Sequence, residues 1–310
     1  MNVLSLFDGI SCARVALDRA GIEVNAYMAS EIEKNAIKIS HKNYPDIIRV
    51  GSVVDLEVEG QIDLLIGGSP CQDLSIAKKD RKGLGGDRSG LFWEYARIKK
   101  ECKPQWFILE NVASMPKADR DIITEEMGVE PVMFNASLVS AQSRKRLFWT
   151  NIPFTLPEDR GIMLKDILQP DGEVDERMVM DGKAYCLTAT YSHANTTEAG
   201  VKNSVERKQR TMVKLGHIGN SDAQANRVYD TDGKSATLSA NGGGLGAKTG
   251  LYQSNDQIRK LTPIECERLQ GLPDNYTEGV AITHRYKCLG NAFNVDVVAH
   301  ILSRVKLMYA

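Results

Sequence analysis

Two side chains of this sequence are placed for covalent chemistry. Cys71 follows Gly67-Gly68-Ser69-Pro70, which closes the apolar run Ile62-Asp63-Leu64-Leu65-Ile66. A buried strand therefore delivers a thiol, through a rigid turn, to the end of a sheet. The commonest fate of a free cysteine is an inert core position, but core packing does not require a turn of this rigidity. A second strand-like run, Trp106-Phe107-Ile108-Leu109, brings the carboxyl of Glu110 to the same rim. Thiol and carboxyl together define an addition chemistry. A thiolate that adds to one carbon of an unreactive nitrogen heterocycle, while an acid hydrogen-bonds or protonates a ring nitrogen, turns the neighbouring carbon into an enamine-like nucleophile.

The elements that must position these groups are visible as alternating patterns. Leu4 to Phe7 is strand-like, and Ser11 to Ala20 is helix-like and closes on Gly21. Val24 to Ala29, Ile47 to Val50 and Ile62 to Ile66 are further strands, with a helix from Glu33 to His41. Leu91, Tyr95, Ile98 and Cys102 then fall at helical spacing before the strand that carries Glu110. This order predicts an α/β fold, a doubly wound parallel sheet with helices on both faces and a ligand crevice beyond the strands' carboxyl ends. Asp8-Gly9, Glu31, Cys71 and Glu110 each end a strand and should line one rim.

Between about 155 and 255 the texture shifts to Gly, Asn, Ser and Thr with short β-prone pieces, a separate loop-rich domain. Within it, residues 181–189 echo residues 232–240, a local duplication at most, for which chance similarity is a fair alternative. Helical patterning returns at Leu261-Thr262-Pro263-Ile264-Glu265-Cys266, with a Thr cap, proline at the first helical position, Glu three residues after the cap and an apolar staple pair. Gly271 should end that helix. Asn291 should open a last one, with Val295, Val298, Leu302 and Val305 on one face.

The composition of the 310 residues, 42% hydrophobic and 25% charged, is that of a globular protein. The first residues are apolar but lack a basic lead and are interrupted by Asp8, so they read as a strand and not as a signal peptide. No run reaches the roughly 18 apolar residues of a membrane span. The six cysteines include no C-x-x-C pair and no Cys/His cluster, which excludes a recognisable zinc site and a disulfide framework. A net charge of -1 leaves a polyanionic partner open, since phosphate binding needs only a local basic face. Basic clusters occur at residues 78–82, 144–146 and 207–210; each by itself is more often a solvated surface than a site.

Phe7-Asp8-Gly9-Ile10-Ser11 is a tight strand-to-helix turn whose glycine lets backbone approach a ligand. It is not G-x-G-x-x-G, which weakens a nicotinamide or flavin reading and suits a nucleoside cofactor without a pyrophosphate. Glu31 stands where an acidic group accepts from ribose hydroxyls. Taken separately, Asp8 reads equally as a helix cap and Glu31 as a surface charge.

Gly68-Ser69-Pro70-Cys71-Gln72, Glu110-Asn111-Val112, Gln142-Ser143-Arg144-Lys145-Arg146 and Gly290-Asn291-Ala292 resemble, in order, the motif set of DNA (cytosine-5) methyltransferases. The likeness spans nearly the whole chain apart from the middle. Residues 69–97 and 131–136 are similar to the animal de novo branch, whereas the length is like that of bacterial or phage enzymes. The resemblance implies an S-adenosylmethionine-dependent, Rossmann-like methyltransferase fold. Residues 1–154 would form the catalytic and cofactor-binding domain, 155–257 a smaller target-recognition domain, and 258–310 a return to the catalytic domain.

By that resemblance Cys71 is the nucleophile and Glu110 contacts the cytosine. Arg144 and Arg146 would hold the ring oxygen or nearby phosphates, supported by Gln142. S-adenosyl-L-methionine would lie against Phe7, Asp8, Gly9, Ile10 and Ser11, with Glu31, Ile32, Ser52, Val53 and Ser69 around it, and Asn291 with Ala292 closing the site. Duplex DNA would meet Ser75, Lys78, Lys79, Arg81, Lys82, Gln142, Asn241, Gly242 and Gly243. The basic segment 72–90 would close over an extruded base. No metal and no membrane are implied, the acting species would be a monomer in the cytoplasm, and association with a restriction system is left open. Two positions depart from the family pattern. Ser52 follows Gly51 where an adenine-contacting aspartate is frequent, and Ser69 replaces a common proline, as in the de novo branch. Two alternatives share these residues: a transfer RNA substrate, as in one branch of the family, and a DNA-binding relative without catalysis.

Overall fold

The computed structural model describes residues 1–70, 89–170, 214–217, 224–240, 246, 248–254 and 257–309. Cys71, Ser75, Lys78, Lys79, Arg81, Lys82, Asn241, Gly242 and Gly243 lie outside the described residues, as do the echo at 181–189 and the basic cluster at 207–210.

By contacts the chain forms two units. The first comprises Met1–Asn135, Lys145–Leu156 and Val297–Ala310; the second comprises Ala136–Arg144 and Pro157–Asp296. The chain passes from the first unit to the second after Asn135, returns at Lys145, leaves again after Leu156 and rejoins the first unit at Val297.

The first unit holds a seven-stranded sheet ordered β3-β2-β1-β4-β5-β7-β6. Its strands are β1 (Asn2–Leu6), β2 (Ala26–Ser30), β3 (Ile48–Gly51), β4 (Leu64–Gly67), β5 (Trp106–Val112), β6 (Val132–Asn135) and β7 (Lys145–Thr150). The first five pair in parallel, and β7 runs antiparallel to both β5 and β6. The helices are α1 (Cys12–Ala20), α2 (Lys34–Asn43), α3 (Phe92–Cys102) and α4 (Lys117–Met127). The chain moves one way through β1, β2 and β3, then restarts beside β1 with β4 and moves the other way. Right-handed crossovers therefore place α1 and α2 on one face and α3 on the other. The reversal between β1 and β4 is a topological switch point, where a crevice opens beyond the strand ends.

Local chemistry explains the boundaries. Gly21 caps α1 at φ +67, its N–H reaching Asp18 O at 3.0 Å while Ile22 N–H reaches Leu17 O at 3.0 Å. Gly67 has no tolerance for a side chain, since a Cβ there would lie 2.8 Å from Leu6 O on the neighbouring strand. The core joins Leu4, Leu6, Leu65 and Leu109 of the sheet to Phe92, Tyr95 and Ile98 of α3, all buried.

The second unit contains a four-stranded sheet, β11-β10-β9-β8, from β8 (Lys214–His217), β9 (Arg227–Asp230), β10 (Leu251–Ser254) and β11 (Gln257–Arg259). The helices α5 (Pro263–Leu269) and α6 (Ile282–Asn291) follow, and the last helix, α7 (Val295–Tyr309), continues into the first unit. The expected capping box of α5 is present: Thr262 Oγ1 accepts from Glu265 N–H, and Glu265 accepts from Thr262 N–H. Gly271, at φ +73, follows its end. Asn291, expected to open the last helix, instead closes α6, and α7 begins at Val295. The sequence conceals α6 because Thr283 to Lys287 are polar and only Cys288, Leu289 and Gly290 are buried.

Candidate active site

Strand register assembles the rim of the first unit. Ser30 and Gly67 both stand opposite Leu6, and Leu109 stands opposite Gly67. One residue further along lie Glu31, Phe7, Gly68 and Glu110; Glu31 follows the end of β2 as expected, whereas Glu110, expected to end its strand, lies inside β5, which runs on to Val112 because β7 continues to pair with it.

Glu110 and Arg146 form the charged part of the rim. Glu110 pairs across the ladder with Phe148 and Val112 with Arg146, so the two charged residues are diagonal neighbours on one sheet face. Arg146 Nε lies 2.7 Å from Glu110 Oε1, and the side chains are only 16% and 13% exposed. This is a charge-assisted contact in a half-dry setting. Asn111, absent from the expected site residues although it stands between Glu110 and Val112, organises the neighbouring turn. Its Nδ2 donates to Ser69 Oγ at 3.1 Å and to Ser69 O at 3.4 Å, and its Oδ1 accepts from Val112 N–H at 2.8 Å. Asn111 and Ser69 are both buried. The strand carrying the acid thus holds the turn that precedes Cys71.

The turn after β1 has an unusual backbone. Phe7, Gly9 and Ser11 have φ of +57, +61 and +61, an alternation that bares successive N–H groups as an anion-holding concavity. Non-glycine residues persist there only when surrounding bonds enforce the shape. Asp8 N–H donates to Ser30 O at 3.0 Å and Ser11 N–H to Asp8 O at 3.1 Å. The carboxylate of Asp8 accepts from Ser11 Oγ and from Tyr27 OH, the latter at 2.7 Å. Ser40 joins Ser11 to Arg49, whose Nη1 lies 3.7 Å from Asp8 Oδ2. The side chain of Asp8 is therefore a buried support beneath the turn and does not face a ligand, a correction to its expected contact. Burial raises its pKa above the ordinary carboxyl value, against the opposing bonds from Ser11, Tyr27 and Ser5 and the charge of Arg49. Tyr27, Ser40 and Arg49 carried no signal in the sequence, because only the fold brings them to this loop.

Glu31 fills the concavity. Its Oε2 accepts from Gly9 N–H at 2.8 Å, and its Oε1 from Ile32 and Glu33 N–H, each at 2.8 Å. Three of about four acceptor positions are used, which leaves Oε2 able to take a further donor such as a ribose hydroxyl. Beside it Ile32 is 73% exposed, and Val54, beyond β3, is also exposed, an apolar surface suited to a flat base. Ser52 Oγ accepts locally from Val54 N–H at 3.1 Å, while Val53 is buried. These residues fit a nucleoside cofactor.

In the second unit the motif residues are placed differently from expectation. Arg144 is 4% exposed, and its guanidinium donates to Ala292 O at 2.9 Å, Gly290 O at 3.1 Å and Leu238 O at 3.4 Å. Engaged with three backbone carbonyls, it is a structural tie where a contact to base or phosphate was expected. Gln142 is 0% exposed and stands in a parallel bridge with Ser235, so it presents no surface to DNA. Its side-chain amide finds no hydrogen-bond partner among the described residues. Asn291 is exposed and Ala292 buried, at the end of α6. Among the described residues no helix is long and apolar enough to cross a membrane, and no group of three or more His, Cys, Asp or Glu could hold a metal ion.

The strand order, the switch point and the acidic residue at the end of β2 define the fold of an S-adenosylmethionine-dependent methyltransferase. The family model for C-5 cytosine-specific DNA methylase matches residues 1–307, and the chain belongs to that family. It is similar to the Type II methyltransferase M.HhaI of Haemophilus parahaemolyticus, at 31% identity over 97% of this chain and 93% of the relative. It is also similar to the Type II methyltransferase M.Bsp6I of Bacillus sp. (strain RFL6), at 25% identity over 98% of each. Among solved structures, the Entamoeba histolytica methyltransferase EhMeth superposes with a TM-score of 0.70 at 16% identity, covering 100% of this chain and 99% of that one, a likeness of fold. The protein is a DNA (cytosine-5-)-methyltransferase with S-adenosyl-L-methionine as its methyl donor.

Proposed function

We propose that the chain methylates carbon 5 of a cytosine extruded from a specific duplex sequence, through a transient bond to Cys71. The observation that carries this reading is the joint setting of Glu110, paired to Arg146, and the Ser69 turn, held by Asn111 at the end of the adjacent strand. A base stacked in a duplex hides ring carbon 6, so extrusion precedes chemistry at a cost of roughly a few kcal/mol. The Cys71 thiolate adds to carbon 6 while Glu110 hydrogen-bonds or protonates ring nitrogen 3. Arg146 fixes the Glu110 carboxyl and stands beside the ring oxygen. The bound cofactor supplies an electrophilic methyl on sulfonium. After carbon 5 has taken the methyl, loss of the carbon 5 proton and expulsion of the thiolate restore the aromatic ring.

Glu31 and Ile32 would hold the nucleoside of the cofactor, with the backbone of residues 7–11 against it and Asn291 and Ala292 also assigned to it. Residues 155–257 would read the DNA, residues 1–154 and 258–310 serving catalysis and the cofactor. The relatives named above are Type II methyltransferases, which supports a place in restriction and modification within the cytoplasm.

The test is incubation with tritiated S-adenosylmethionine and either duplex DNA or transfer RNA, followed by bisulfite sequencing. Label on cytosine of duplex DNA, abolished by Cys71→Ala, is the expected result. Label confined to RNA moves the substrate to transfer RNA, and binding without label removes catalysis. DNA carrying 5-fluorocytosine should trap the wild-type protein covalently, since fluorine cannot leave as a proton; an active enzyme that is not trapped would overturn the addition step.

A further inference from the structure

We infer that Ser40, Ser11, Asp8 and Tyr27, with Arg49 at the far end, form a chain of positioning residues that sets Glu31 for the ribose of the cofactor. The inference rests on the reading of Glu31 as the ribose acceptor, and its geometry lies wholly within the first unit.

The turn on which Glu31 leans does not hold itself. Phe7 and Ser11, neither of them glycine, stand at φ +57 and +61, a conformation that persists only where surrounding bonds enforce it. Ser11 also occupies the position before α1 where a serine hydroxyl ordinarily accepts from a helix N–H, yet it makes no such cap. Its hydroxyl is turned beneath the loop instead, donating to Asp8 Oδ2 and meeting Ser40 Oγ of α2. A guanidinium can only donate, so Arg49 of β3 donates to Ser40 Oγ, Ser40 spends its own hydrogen on Ser11, and Ser11 spends its own on Asp8. From the other side Tyr27 OH of β2 donates to Asp8 Oδ1 at 2.7 Å. Every bond in the chain therefore has one direction. Ser11, Ser40, Tyr27 and Asp8 are all buried, where such bonds act in low dielectric. Arg49 Nε and Nη1 are buried without a hydrogen-bond partner among the described residues, so what the arginine contributes here is its bond to Ser40 and its charge 3.7 Å from Asp8.

The two oxygens of Glu31 depend on this chain unequally. Oε1 accepts from the N–H groups of Ile32 and Glu33, its neighbours in sequence. Oε2, the oxygen able to take a ribose hydroxyl, accepts from Gly9 N–H at 2.8 Å. Gly9 stands between Asp8 and Ser11, so the aim of its N–H follows the shape that the chain imposes on the turn. Cutting the chain lets the Glu31 carboxylate tilt away from the ribose while the apolar surface of Ile32 and Val54 stays in place. The expected loss is confined to recognition of the ribose hydroxyls.

The experiment measures by calorimetry, without DNA, the affinities of the protein for S-adenosylhomocysteine and for its 2′,3′-dideoxy analogue. The wild type should prefer the ribose form by about tenfold or more, as a hydrogen bond to an ionised acceptor provides. Ser40→Ala and Tyr27→Phe cut the chain on opposite sides of Asp8. Each should bring the preference down to about threefold or less, with the affinity for the dideoxy analogue little changed. Glu31→Ala should abolish the preference. General loosening of the site would weaken both ligands equally and leave the preference at its wild-type value, and that result overturns the inference. Should Ser40→Ala fail to fold, Ser40→Cys, close in volume but only a weak donor, carries the same expectation. A wild-type preference of one sinks the ribose reading of Glu31 and the inference with it. A preference that Glu31→Ala abolishes but both chain variants keep sinks only the positioning role.

Discussion

The two units hold their functional segments by different means. In the first unit, the site-bearing turns leave strands whose backbone ladders fix their register, and Phe7, Gly68, Glu31 and Glu110 align because Leu6, Gly67, Ser30 and Leu109 do. In the second, the ladders are short and buried charged side chains take over. Arg259 and Glu265 meet in a two-bonded pair, Nη1 to Oε2 and Nη2 to Oε1 at 2.9 Å each, with side-chain exposures of 1% and 0%. Buried Glu267 holds Thr277 and Arg285, Lys234 reaches the Ser140 and Ile162 carbonyls, and Arg144 ties three more. A backbone ladder is available to almost any sequence of suitable pattern. A buried charge is tolerable only with its particular partners, so the second unit depends more heavily on single residues.

Three substitutions test this difference, in decreasing order of expected cost. Glu265→Ala leaves the Arg259 guanidinium buried without its anion, and also strips the N–H groups of Thr262 and Gln169 of their acceptor. It should cost about 3–5 kcal/mol, measured by urea denaturation. A loss below about 1 kcal/mol, typical of an exposed pair, would show that the second unit does not rely on its buried ions.

Asn111→Ala tests the first unit where a side chain, not a ladder, holds the turn before Cys71. Removing its amide deprives Ser69 and the Val112 N–H of partners, at about 1–3 kcal/mol. Methyl transfer should slow by about tenfold, one factor of 1.4 kcal/mol in the barrier, with the KM for S-adenosylmethionine nearly unchanged. A fall in stability at undiminished kcat would mean that the strand ends alone position the turn.

The smallest effect concerns Asp8 and pH. Burial raises its folded-state pKa above the ordinary 3.8, so within the window between the two values the folded protein keeps a proton that the unfolded chain has released. The associated stability is complete below the ordinary value and is lost as pH rises through the raised one. Asp8→Asn cannot titrate, so its unfolding free energy should gain on the wild type across that window and run parallel above it. Parallel curves throughout would show that the network of Ser11, Tyr27 and Arg49 fully offsets burial.

Much of the fold was legible in the sequence because its signals are local. Apolar runs of strand length, Gly21 after a helical pattern and the Thr262-Pro263-Glu265 cap each act within a few residues, and each appears where the pattern places it. The helix α6 was not legible, since its polar middle shows no apolar stripe.

Local pattern fixes the order of strands and turns along the chain, and with it an acid and an arginine on neighbouring strands and a nucleoside-sized turn after the first. Which of these side chains remain available for chemistry is set by long-range packing. Arg144 and Arg146 are indistinguishable as letters, yet one is committed to carbonyls 94 to 148 positions away and the other to Glu110. Asp8 and Gln142 were likewise assigned by what packs over them. The physical reason is that a charged or amide group in low dielectric must find its partner wherever the fold supplies one, and no local pattern encodes a partner that distant.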